Sequence, residues 1–244
     1  MVKPGRPPQD PARQRERAHR ILDAATELVL RWGYDKTTID DVAKRAGVAK
    51  GTIYLHWKTR DELFTALLRR ERVLMLDGVR RSEPATLSAL YGSFAREVLR
   101  RPLLHALLGD DSEVLGKLTR QKLRGTGTPE LFPALDSYLA ELIKRGAVRE
   151  EPGDHATVVG SILYGFLCMP EGMHGATRPS DDQLADLVAD TIERTMSTGR
   201  PLSDDDAHAV ARATRECLDA VTEIAETKLA ASMNGYSSTA GSAR

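Results

Sequence analysis

The sequence predicts an all-α protein, with a small N-terminal three-helix unit joined to a larger helical body. Three observations lead there. Ala, Leu, Arg, Glu and Asp dominate a chain in which aromatics are only 5%, a composition that favours helix. Apolar residues recur at spacings of three and four, and no stretch alternates as a half-buried strand does. Capping residues and Pro/Gly breaks cut the chain into helix-sized segments.

The elements follow in order. Residues 1–11 hold four Pro and no periodicity, and read as a flexible basic arm. From about Ala12 the pattern is helical, with Ile21, Leu22, Ala25, Leu28 and Val29 on one stripe and Gly33 as the stop. Thr38 with Asp41 forms a capping-box pattern before Val42 and Ala43. Thr59 with Glu62 repeats it before Leu63, Leu67 and Leu68. Between them Gly47 permits a turn with positive φ. Residues 34–63 therefore read as helix, tight turn, short helix, turn and the start of a longer helix.

Beyond Gly78 the spacing predicts helices at about 86–100, 103–109, 111–123, 130–146, 155–169, 181–197 and 204–231. Ser180 with Gln183 and Ser203 with Asp206 supply two further N-caps. The tail 234–244 reads as disordered. The resulting division is an arm at 1–11, an N-terminal domain at 12–65, a body at 66–233 and the tail.

Composition narrows the function. With 244 residues, 41% apolar and 29% charged, the chain suits one large soluble domain or two unequal ones. The longest apolar stretch, Val158 to Met169, has twelve residues and ends at Pro170, where a membrane span needs roughly 20. The basic N-terminus lacks the apolar core of a signal peptide, and Cys168 and Cys217 offer no disulfide framework, so a reducing cytoplasm is expected. The net charge of zero hides an asymmetry: residues 1–60 hold 13 Lys/Arg and 7 Asp/Glu, a balance of +6, which leaves −6 for the rest. A basic head on an acidic body points to a polyanion met by the head alone. Clustering of charge on a solvated face remains the plainer alternative.

The short segment at residues 50–57 gives the asymmetry a chemical shape. At about 100° per residue, Ile53 and Trp57 share the inward face, while Gly51 and Leu55 point nearly opposite and Thr52 and Tyr54 flank them. The outward face is a bare backbone, a methyl-rich side chain, a hydroxyl and a phenol. Helix, glycine turn, short helix is the pattern of a helix-turn-helix. Gly51 lets the backbone approach bases or phosphates, Leu55 can touch a thymine methyl and Thr52 can meet a base edge. Lys50 sits where a helix N-terminus already favours phosphate, and Tyr54, His56 and Arg60 can bind phosphates from the sides. The same spacing also suits a plain helical hairpin with Tyr54 and His56 as half-buried packing residues.

The stretch from Ile21 to Leu68, "ILDAATELVLRWGYDKTTIDDVAKRAGVAKGTIYLHWKTRDELFTALL", resembles the DNA-binding region of the tetracycline-repressor (TetR) family of bacterial transcriptional regulators. The shared elements are Ala24/Ala25, Gly33, Thr37–Thr38, Val42–Ala43, Ala46–Gly47–Val48, Gly51, Tyr54, His56–Trp57 and Leu63. The resemblance covers 48 residues, a fifth of the chain. It implies that Thr38 caps the second helix and contacts phosphate, and that Lys50, Gly51 and Thr52 open a recognition helix that touches DNA. It also implies phosphate contacts for Tyr54, His56 and Arg60, with Arg45 a further candidate and Leu55 helping to set operator preference. Three residues depart from or individualise the pattern: Ala49 stands where many members carry Ser, Trp57 replaces the usual Phe, a change expected to be absorbed by the core, and Leu55 occupies a variable position. The arm, with "KPGRPP" and Arg13, Arg15 and Arg17, reads either as a minor-groove and phosphate contact or as a solubilising segment.

For the body, the resemblance implies a homodimer on a palindromic DNA operator and a pocket for a small-molecule effector. The apolar helix at 155–169, with Ile162, Phe166 and small residues at 160, 161 and 165, is expected to pair across a two-fold axis. Leu184, Leu187, Val188, Thr191 and Ile192 of the next helix are expected to join it. A monomer core built from the same helices is the alternative. The pocket candidates are Tyr91, Phe94, Leu103, His105, Leu107, Phe132, Leu135, Tyr138, Tyr164 and Met169, which equally fit an ordinary core. The amphipathic helix at 204–231 lies beyond the usual last interface helices and is expected to pack on the body or widen the dimer. No cofactor or metal is expected, because the spacing of His105, Asp110, Asp111, Glu113, His155 and His174 matches no ligand motif. No catalytic motif supports an enzyme, and both Cys sit in apolar helical settings unsuited to a redox sensor. The function expected is a homodimeric repressor released from its operator by its effector.

Overall fold

The computed structural model describes residues 10–109, 132–151, 153–169 and 177–233. The expected helix at 111–123, the tail at 234–244 and all of the arm before Asp10 lie outside them. Among the described residues there are ten helices and no strand, apart from one isolated bridge between Val148 and Ser197.

Helix α1 (Pro11–Trp32) starts one residue earlier than expected. Asp10 caps it by accepting from the Ala12 N–H, and Pro11 takes the first helical position, where its missing N–H leaves nothing unpaired. Helix α2 (Ile39–Ala46) begins with the complete Thr38–Asp41 capping box and ends on Gly47, at φ 66° and ψ 37°. Helix α3 (Lys50–His56) follows after three residues. Thr59 then caps α4 (Arg60–Arg81) through the Glu62 N–H, while the Glu62 carboxylate turns to the Lys58 N–H instead of completing a box.

Two hydrophobic cores result. The first gathers Ile21, Leu22, Ala25, Leu28 and Val29 of α1, Val42 of α2, Ile53 of α3 with Trp57 just after it, and Leu63, Phe64 and Leu67 of α4. The second takes Met75, Leu76 and Val79 from the far half of α4. Residue 65, the expected domain boundary, thus lies inside a continuous helix whose two halves serve different cores. Arg70 marks the crossover. It is buried on α4, donating to the His19 carbonyl, the Asp23 carboxylate and the Thr26 hydroxyl of α1.

The body continues with α5 (Leu87–Leu99), α6 (Pro102–Leu108), α7 (Phe132–Lys144), α8 (His155–Leu167), α9 (Asp181–Met196) and α10 (Asp204–Met233). Helices α5 and α9 pack backbone-close at Gly92, where a Cβ would stand 2.8 Å from the Ala189 Cβ. Ser180 with Gln183 forms a full capping box on α9, and Ser203 accepts from the Asp206 N–H at the head of α10. Helix α10 packs along α4 and α7, held by a buried hydrogen bond between the Tyr138 and Thr214 hydroxyls at 3.0 Å and by an Arg145–Asp206 ion pair at 3.1 Å. It therefore covers the body, as one of the two expectations had it, and it also runs back to the N-terminal unit. No described helix is long and apolar enough to cross a membrane.

Candidate nucleic-acid interface

Helix α3 divides as its periodicity predicts. Ile53 is 0% exposed and Trp57, its C-cap residue, 2%, whereas Tyr54 and Leu55 are 43% and 40% exposed and Gly51 is open. Two large apolar anchors on one side press an unusually apolar face outward on the other. A Cβ added at Gly51 would meet nothing within 4 Å, so packing within the chain does not demand glycine there. Ala49 provides no side-chain cap.

The candidate cations are tethered at the surface. Lys50 Nζ lies 2.7 Å from Asp40 Oδ2 and Arg45 Nη2 lies 2.5 Å from Glu27 Oε2, all four side chains being about half exposed. These hydrogen bonds raise the pKa of both cations and lower that of Glu27. Exposed pairs of this kind contribute little stability. Thr38 is exposed but accepts the Asp41 N–H and donates its hydroxyl to the Asp41 carboxylate at 2.6 Å, which lowers the Asp41 pKa. Thr52 and His56 are half-buried. Burial, reinforced by the charge of Arg17, pushes the His56 pKa down and favours the neutral ring.

Arg60, expected to reach a phosphate, makes contacts within the chain. Its Nη1 donates to the Thr37 carbonyl at 3.2 Å, and its guanidinium lies 4.0 Å above the Tyr34 ring. With its planar donors beside an aromatic face and a turn carbonyl, Arg60 braces the α1–α2 turn in the free chain. Tyr34 is the structural neighbour of Arg60 that periodicity missed. It is buried, sits edge-on to Phe64 at 4.8 Å and donates its hydroxyl to the Asp61 carboxylate. Burial and that bond push its pKa up to about 12. Its position directly after Gly33 was the available signal.

The family model for bacterial regulatory proteins of the tetR family matches residues 21–67. Over 139 residues the chain is 30% identical to the HTH-type transcriptional regulator YhgD of Bacillus subtilis, covering 55% of this chain and 73% of that protein. Over 163 residues it is 33% identical to the HTH-type transcriptional repressor KstR of Mycolicibacterium smegmatis, covering 61% of this chain and 74% of that protein. The chain belongs to the tetR family of bacterial regulatory proteins. Other regulators match over only 30% and 31% of their own length. The fold agrees with that of a tetR family transcription regulator from Shewanella sp. PV-4, at a TM-score of 0.51 and 18% identity over 75% of this chain and 98% of that one. The regulator thus carries its family's N-terminal helix-turn-helix on a helical body.

The body residues of the regulator sort less cleanly than expected. Tyr91, Phe94, Leu107 and Leu135 are half-buried against the second core and Tyr138 is buried in it, with the Tyr91 and Phe94 rings edge-on at 6.4 Å. Leu103 does not join them, because α6 turns it into the first core. His105 is occupied by the Leu167 carbonyl, 2.6 Å from its Nε2. Tyr164, 58% exposed, and Met169 lie on the surface. Tyr164 follows Leu163 by about 100° and so leaves the inward row of Val159, Leu163 and Leu167. Phe132 opens α7, but its side chain lies outside those described.

The interface expectation is corrected in the same way. Leu184, Val188 and Ile192 form an i, i+4, i+8 row wholly buried within the chain. On these two helices Leu187, Thr191, Ile162, Phe166 and Tyr164 remain at least partly open to a second copy. Among the described residues, no three His, Cys, Asp or Glu side chains gather as a metal site.

Proposed function

We propose that this regulator is a homodimeric repressor that places α3 in the major groove of each half of a palindromic operator and leaves it when a small molecule enters the body. The exposed face of Gly51, Tyr54 and Leu55, held out by buried Ile53 and Trp57, carries this reading. Thr38, Thr52 and His56 flank that face, and Lys50 and Arg45 exchange their carboxylate partners for phosphates. The reading takes residues 12–65 as the DNA-binding domain and 66–233 as the effector and dimer domain, with α4 shared.

Dimerisation is supported by the exposed Tyr164 and Leu187 and by the open space at Gly160 and Gly165, which lets two α8 helices approach closely. The effector is an apolar molecule with a hydrogen-bonding group, received beside Tyr91, Phe94, Leu107, Leu135 and Tyr138. Helix α6 supplies a path outward: Leu103 lies in the first core, Leu104 in the second, and His105 is tied to α8. An effector that favours a different spacing of the two α3 helices lowers operator affinity by its preference for that state. The relative named as a repressor supports that sign.

Selection of bound sequences from random DNA by the full chain tests the proposal. A palindromic consensus bound by a dimer in sedimentation upholds it. The double variant Lys50→Ala, Tyr54→Ala is expected to lose specific binding while staying dimeric. Undiminished affinity in that variant overturns the assignment of α3. A compound library screened by the upward shift of the melting temperature identifies the effector.

A further inference from the structure

The far end of α10 closes on the recognition segment. Trp57 Nε1–H donates to the Ser232 carbonyl at 3.0 Å, a contact between residues 175 apart in sequence. Arg69 Nη1 donates to the Lys228 carbonyl at 3.1 Å and to the Ser232 hydroxyl. Met233 packs against the first core.

Each part of this contact satisfies a separate need. Ser232, in the last described turn of α10, presents its backbone carbonyl to the indole. The buried indole N–H of Trp57 needs an acceptor, and burial without one carries a desolvation penalty. Arg69 brings a cation to the negative end of the helix dipole. Phe at position 57 would fill the same core but bring no donor, so the indole N–H of Trp57 and the helix end are matched to each other.

The contact falls at the C-terminal end of α3. Its first residue has no side-chain cap, and Trp57 closes the other end through its backbone N–H to the Ile53 carbonyl at 2.9 Å. Holding the indole therefore holds the C-terminal end of α3. The opposite stretch of α10 is fixed in the body at Thr214, which lies about 27 Å away along a continuous helix.

We infer that the last turn of α10 is a positioning element for DNA recognition: it grips Trp57 and sets the angle at which α3 is offered to the operator. This rests on the operator-binding reading above. The grip is an additional link between body and recognition helix, separate from α6.

Trp57→Phe removes the donor and keeps an aromatic ring in the core, and Arg69→Met removes the second clamp and keeps the aliphatic stem. Both variants and their double are compared with the full wild-type chain on its selected operator and on operators with the half-site spacing changed by one base pair. Each single substitution is expected to weaken binding to the selected operator about three- to tenfold, the range of one lost hydrogen bond. It is also expected to narrow the preference for correct over shifted spacing, and the double variant to lose little more, because either change frees the same helix end. Wild-type affinity and spacing preference in both single variants, equal loss at every spacing, or full additivity overturns the inference. A wild-type chain that selects no sequence sinks the operator reading instead. The grip is then read from hydrogen exchange, where faster exchange in both α3 and the end of α10 of W57F upholds it and unchanged exchange overturns it.

Discussion

Lys50 Nζ sits 2.7 Å from Asp40 Oδ2, so a carboxylate of α2 holds the cation that opens α3. Binding phosphate must break this pair, and removing the carboxylate lowers that cost. Asp40→Asn is expected to raise affinity about two- to tenfold at low salt, for operator and unrelated DNA alike, with the gain shrinking as salt rises. Fluorescence anisotropy across a KCl series measures it, and unchanged affinity would remove Lys50 from the contact surface.

Two nearby glycines should respond in opposite ways. Gly47 has φ 66°, and a Cβ there meets nothing within 4 Å, so Gly47→Ala brings backbone strain alone, about 1–2 kcal/mol. Gly51 has ordinary helical backbone and open space, so Gly51→Ala is expected to stabilise the free chain by about 0.5–1 kcal/mol. It also sets a methyl on the face offered to DNA and should weaken operator binding. Urea melts paired with binding titrations separate the two effects, and a G51A variant with full affinity would mean that α3 does not approach DNA closely there.

His56 gives binding and stability opposite pH dependences. Burial and Arg17 hold its folded pKa below the ordinary value of 6.5. As pH falls through that ordinary value the unfolded chain takes up this proton before the folded one does, so the stability due to the neutral ring is present above it and lost below it. A nearby phosphate favours the imidazolium, so operator binding should tighten as pH is lowered from 7.5 to 6. His56→Gln is expected to flatten that dependence. A wild-type affinity that does not vary with pH over this range would exclude the His56 contact.

The two thiols should be silent. Burial pushes the Cys217 thiol up to about 11 and raises Cys168 as well, so both stay protonated at neutral pH. The thiol is the weaker nucleophile toward peroxide. Peroxide treatment is expected to leave operator affinity unchanged, as read by titration after the oxidant is removed, and a loss rescued by Cys168→Ser or Cys217→Ser would reinstate a redox role.

Sequence alone determined what depends on neighbours along the chain. The caps at Thr38, Thr59, Ser180 and Ser203 and the left-handed turn at Gly47 are local hydrogen-bonding and steric facts, and they fixed four of the ten described helix starts and one helix end. The two faces of α3 followed from helical period, and the resemblance across Ile21 to Leu68 located the DNA-binding unit. Tertiary structure decided which apolar face meets which neighbour, because periodicity marks a buried stripe without naming what buries it. It buried Leu184, Val188 and Ile192 in the second core, sent Leu103 to the first core and left Tyr164 on the surface. It also drew Arg60 onto Tyr34 and brought the end of α10 to Trp57. That last contact joins parts of the chain far apart in sequence, and only folding brings its donor and acceptor together.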